Sequence, residues 1–69
     1  MNDAIREEIK TKIRDRADRK IHGPRRLKSV EVAPSGRVHI ELQDGTTLEV
    51  GDAFEAMDWV DVIAKMDRA

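Results

Sequence analysis

The groups in this chain that could move a proton, hold a metal or attack a substrate are few. Cysteine is absent, so there is no thiol nucleophile, disulfide or thiolate metal site. The two histidines, His22 and His39, lack a partner at metal-binding spacing. His39 is the more informative, because the strand register argued below sets it between Glu31 and Glu49. Two carboxylates beside an imidazole favour its protonated form, so Glu31, His39 and Glu49 read as a pH-sensitive cluster with a raised histidine pKa. They do not read as a metal site, since such sites are held deeper and supported by further hydrogen bonds. His22 falls at the end of a helical segment and reads as a capping, dipole-stabilising residue. There is no Gly-rich phosphate loop and no Ser/His/Asp arrangement that a fold would bring together. The other carboxylates fall on exposed positions, where nothing would raise a pKa for acid catalysis. The expectation is a protein that is not an enzyme and uses no metal or cofactor.

The segment that positions His39 is Leu27 to Val50, LKSVEVAPSGRVHIELQDGTTLEV. Val30 and Val32, then Val38, Ile40 and Leu42, then Leu48 and Val50 alternate with polar residues, the period of a half-buried strand. Paired residues in an antiparallel ladder share a face, so loop length must set apolar opposite apolar. A two-residue loop at Asp44-Gly45 would pair Ile40 with Glu49 and mix the faces. A three-residue loop, Gln43-Asp44-Gly45, pairs Leu42 with Thr46, Ile40 with Leu48 and Val38 with Val50, with Gly45 in the left-handed position that closes the bulge. Pro34-Ser35-Gly36 solves in the same way, pairing Val32 with Val38 and Val30 with Ile40. The outer face is then polar throughout: Ser29, Glu31, Arg37, His39, Glu41, Thr47 and Glu49.

Helical patterns flank this meander. Ile5, Ile9, Ile13, Ala17 and Ile21 recur every fourth residue, Asn2 or Asp3 can cap the start, and Gly23-Pro24 is a stop signal. Four-residue spacing drifts about 40° per step against 3.6 residues per turn, so the stripe winds by roughly 160° and one flat sheet cannot cover both ends. Either this helix bends across the core or one end projects. The second helix opens at Asp52-Ala53-Phe54-Glu55, which has capping-box spacing. Its apolar residues, from Ala56 and Met57 through Trp59, Val60, Val62, Ile63 and Ala64 to Met66, span an arc of about 220°, far wider than the ~100° stripe a surface helix needs. It therefore has two neighbours, the sheet and either the first helix or another subunit. The predicted architecture is α+β, in the order α-β-β-β-α: a three-stranded antiparallel meander with both helices on one face. It forms one domain over 1–69, with helices at 3–22 and 53–67 and strands at 28–33, 37–42 and 46–50.

Charge is unevenly spread. From Met1 to Lys28 ten Lys and Arg face five Asp and Glu, which is +5; from Ser29 to Ala69 three face nine, which is −6. Such asymmetry points to a charged partner. Arg6, Lys10 and Arg14 share a helix face, and with Arg25 and Arg26 in the linker they form candidate contacts for phosphates or an acidic protein. No aromatic residue is interleaved for base stacking. The sequence has no charged-then-apolar leader and no run near the ~20 apolar residues of a membrane span, so the expected setting is the cytoplasm.

The order helix, three-stranded meander, helix resembles the double-stranded-RNA-binding domain. That family docks RNA with a lysine-rich start to its second helix and a Gly-Pro-His-like segment between its first two strands. Here those positions hold Asp52-Ala53-Phe54-Glu55-Ala56-Met57-Asp58, with no lysine before Lys65, and Pro34-Ser35-Gly36. The resemblance therefore implies the fold and not the RNA contact, since an acidic helix start repels phosphates.

The leading expectation is a small non-enzymatic protein-binding module acting through the second helix, either as a homodimer or on a larger cytosolic protein. Its contact residues would be Trp59, Val62 and Met66, with Asp58 and Asp61 on the rim. The alternatives are nucleic-acid binding through the basic first helix and the Arg25-Arg26 linker, and a small acidic inhibitor, of the kind used by mobile elements, whose Glu31, Glu41, Glu49 and Asp61 mimic nucleic acid.

Overall fold

A computed structural model describes residues 2–68. Helix α1 spans Asp3–Lys20, strands β1, β2 and β3 span Leu27–Val32, Val38–Leu42 and Thr47–Val50, and helix α2 spans Ala53–Arg68. The order is α-β-β-β-α, with one open antiparallel sheet of strand order β1-β2-β3. The register is the one that the two turns dictate. Val32 pairs with Val38 and Val30 with Ile40 across the first hairpin, and Ile40 pairs with Leu48 and Val38 with Val50 across the second. Gly36 and Gly45 take φ of 95° and 90°, the left-handed region that closes each three-residue loop. The loops are stapled alike, by Gly36 N–H to Ala33 O and Gly45 N–H to Leu42 O, at 2.9 and 3.0 Å.

Element ends differ from the sequence reading by one or two residues. The N–H of Ile5 donates to Asn2 Oδ1 at 2.9 Å, which caps the start of α1. At the other end Ile21 is already extended, with φ −116° and ψ 113°, so α1 stops at Lys20 and not at 22. Residue 27 also belongs to β1. A bulge between Leu27 and Ser29 sets two β1 residues against one step on β2 and turns Leu27 onto the buried face. Helix α2 has the expected capping box in a shifted form: Glu55 N–H donates to Asp52 Oδ1 at 2.8 Å, and Glu55 Oε2 accepts from Gly51 N–H at 3.0 Å.

The core is a single layer between the sheet and the two helices. Ile13, Ala17 and Ile21 of α1 and its end, Val30, Val38, Ile40 and Leu42 of the sheet, and Ala56, Val60, Ile63 and Ala64 of α2 are buried, and among the described residues no polar or charged side chain is buried with them. The winding stripe on α1 resolves as a projecting end: Ile13 to Ile21 are covered, Ile9 is half-covered and Ile5 is exposed. Partners across the two helices keep a near-constant sequence offset. Arg16 and Lys20 meet Asp61, 45 and 41 residues on, and Gly23 meets Asp67, 44 residues on. The helices therefore run parallel, as an odd number of antiparallel strands between them requires. Among the described residues no helix is long and apolar enough to cross a membrane.

Candidate functional site

The packing of α2 divides its wide apolar arc into two parts. Ala56, Val60, Ile63 and Ala64 are covered by the sheet and α1, and Met57 is half-covered. Trp59, Val62 and Met66 are left 37%, 44% and 45% exposed. Their spacing of three and four residues stacks them on successive turns as one strip. Asp61 and Met57 mark the side that meets α1, and at about 100° per residue Trp59 lies some 160–200° round the helix from them. The free strip therefore faces away from α1. Tryptophan and methionine are costly to leave in water and are enriched where proteins bind one another. Asp58 and Lys65 border the strip on its α1 side, and neither makes an ion pair among the described residues.

Asp61 is placed elsewhere than the sequence reading had it. Its carboxylate faces α1, where Arg16 binds it through two nitrogens, Nε at 3.1 Å and Nη2 at 2.8 Å, and Lys20 Nζ adds a third hydrogen bond at 2.8 Å. These bonds hold the Asp61 carboxyl well below the usual carboxylate range and raise the Arg16 guanidinium. Asp61 thus ties the two helices together. A carboxyl depressed in the folded state stabilises it above its unfolded pKa, near ~3.9, and loses that contribution as pH falls from there toward the folded value. Asp61→Asn is therefore expected to lower the melting temperature at pH 7, and the gap to wild type should narrow steadily below about pH 4. A gap of constant size from pH 7 to pH 2 would contradict this role.

The other groups singled out from sequence have mostly found partners within the chain. Arg6 donates from Nε to Val32 O at 2.8 Å and from Nη1 to Asp3 at 2.9 Å. The first of these caps the free edge of β1, because alternate residues of an edge strand point their carbonyls outward. Lys10 reaches Glu31 at 3.4 Å and Arg25 lies 3.6 Å from Asp44. Arg14 and Arg26 make no ion pair among the described residues. His39 pairs with Glu31 on one side and Glu49 on the other, as expected, yet each carboxylate has another cation: Lys10 for Glu31, and Arg37 for Glu49 at 2.9 Å. Glu41 is met by Lys28 at 3.5 Å. The outer sheet face is thus a lattice of paired charges, and Arg6, Glu31, Arg37, His39 and Glu49 line only a shallow open cleft. Among the described residues no three His, Asp or Glu side chains converge to hold a metal. His22 acts as read: its Nε2–H donates to Arg19 O at 2.9 Å and satisfies a carbonyl at the end of α1.

One exposed aromatic was missed. Phe54, in the first turn of α2, is 84% exposed and lies with Ile9, Lys12, Ala53 and Met57 along an apolar groove of about 280 Å³ between the starts of the two helices. The signal was available, since on the helical wheel Phe54 falls on the polar strip, outside the apolar arc, where an aromatic has no core to fill. Taken together, the fold and its surfaces define a small α+β domain with an antiparallel meander and an uncovered helix face. Comparison with protein-family models, curated proteins and solved structures found no match.

Proposed function

We propose that this chain is a non-enzymatic protein-binding module whose contact surface is the outer face of α2. The observation that carries the reading is the strip of Trp59, Val62 and Met66, three large apolar side chains on successive turns that the folded chain leaves in water. It is supported by the shallow, ion-paired character of the polar surfaces, where among the described residues no ionisable side chain is buried as proton transfer at a protein site usually requires. Nucleic-acid binding has less behind it, because Arg6, Lys10 and Arg25 are each held by an acidic side chain of the same molecule. An acidic mimic has less for the mirror reason: Glu31, Glu41, Glu49 and Asp61 are each neutralised by a basic neighbour.

A photocrosslinking amino acid placed at position 62, with a control at Thr47 on the outer sheet face, tests this in cells. The expected result is a protein adduct of defined mass at position 62, suppressed by excess wild-type chain and not by excess Val62→Glu chain. Adducts at position 47 alone, or to nucleic acid alone, would overturn the reading.

A further inference from the structure

Taking the protein-binding role of α2 as its premise, we infer that the partner is a second copy of this chain, docked through an antiparallel, two-fold α2–α2 contact centred on Val62. The inference comes from the symmetry of the exposed face about that residue. Asp58 and Trp59 lie four and three residues before Val62, and Lys65 and Met66 lie three and four residues after it. On the helical wheel Asp58 and Lys65 both fall some 40–60° to one side of Val62, and Trp59 and Met66 both fall some 40–60° to the other. When two such helices meet antiparallel about a two-fold axis, each flank meets its own copy reversed end for end. Asp58 then faces the second copy's Lys65, and Trp59 faces the second copy's Met66, with offsets along the axis that differ by only about 1.5 Å.

The four side chains that flank Val62 each find a complement in that arrangement. Asp58 and Lys65 have no ion pair among the described residues, and here each gains an opposite charge, the pair being made twice by symmetry. Trp59 against Met66 is a favourable sulfur–aromatic contact, also made twice. Val62, the smallest apolar side chain of the strip, sits on the axis, where helices packed 8–10 Å apart need a small residue. A parallel two-fold contact would instead set Asp58 against the second copy's Trp59 and Lys65 against its Met66, leaving each charge beside an apolar side chain and without an opposite charge. An unrelated partner would have no reason to match a face that is complementary to itself. One helix face buries less than the ~800 Å² per partner of a standard interface, so the dimer is reversible and concentration-dependent.

Sedimentation equilibrium over a wide concentration range, with the chain carrying Val62→Cys for oxidative crosslinking, tests the arrangement against the cysteine-free wild-type background. A cysteine on the two-fold axis is placed for a disulfide, and the expected result is a crosslinked dimer from Val62→Cys and none from a Thr47→Cys control. Asp58→Lys and Lys65→Asp should each weaken self-association at least tenfold, and the double variant should recover most of it. All these positions are exposed, so circular dichroism should report an unchanged fold. A chain that stays monomeric throughout, while position 62 still crosslinks to another protein, would overturn the second copy and leave the protein-binding role standing. A dimer that survives both Val62→Glu and the single charge reversals would place self-association on another surface and overturn the α2–α2 docking.

Discussion

Ile40→Ala is expected to cost about 2–5 kcal/mol, the range for truncating a buried isoleucine to alanine. Ile40 is fully buried at the centre of β2, between Val30 and Leu48 on the flanking strands and beneath the layer that both helices contribute. A domain of this length has only about 3–10 kcal/mol in total, so one such cavity removes a large share of it. At about 4–8 °C per kcal/mol for a small domain, the melting temperature should fall by at least roughly 8 °C. Ile5→Ala makes the same chemical change on the projecting, exposed end of α1 and should move stability by less than about 0.5 kcal/mol. Thermal and urea unfolding of the two variants side by side gives the comparison. A loss below about 1 kcal/mol for Ile40→Ala would mean that β2 does not carry the core.

The second large effect sits where the end of α2 meets the turn after α1. An acidic residue near a helix C-terminus is disfavoured by the helix dipole, so Asp67 needs a compensating interaction. It has one: its carboxylate accepts the backbone N–H of Gly23 at 2.7 Å and of Arg25 at 3.1 Å. The approach is so close that a Cβ on residue 23 would lie 2.6 Å from Asp67 Oδ2. Gly23→Ala must therefore push the carboxylate off both donors, and Asp67→Ala removes the acceptor outright. Each is expected to destabilise the fold by about 1–3 kcal/mol. The two changes should be strongly non-additive. With Asp67 gone the three atoms nearest the added methyl are removed, and Gly23→Ala should become neutral or stabilising by up to ~1 kcal/mol through the stiffer unfolded chain. That reversal of sign separates a clash with Asp67 from a backbone requirement for glycine. If Gly23→Ala were equally harmful with and without Asp67, the carboxylate clamp would not be the reason for the glycine.

Much of the fold was legible because its determinants are local. Pro34-Ser35-Gly36 and Gln43-Asp44-Gly45 each fix a loop length, and loop length with period-two alternation leaves only one register that puts valine opposite valine. Leu27 escaped that logic because the bulge between Leu27 and Ser29 breaks the period within the strand. A bulge leaves no mark in hydrophobic spacing beyond one residue out of step. The end of α1 was misplaced by two residues for a related reason: Ile21 continues the four-residue spacing of its helix while its backbone has already become extended.

The candidate site divides along the same line. Trp59, Val62 and Met66, with Asp58 and Lys65 beside them, belong to one helix, so their common face and its reversed symmetry follow from the 100° step alone. Helical periodicity also showed that α2 carries more apolar surface than one neighbour can cover. It could not say which part of that surface would stay bare. That depended on α1 lying parallel to α2 on the side marked by Asp61, a choice made by residues 41 and 45 positions away in sequence. The same long-range pairing made Asp61 the lock between the helices and occupied Arg16 and Lys20 of the basic first helix. Charge counts add residues along the chain, whereas an ion pair forms only between groups that the tertiary fold brings within a few ångströms of each other.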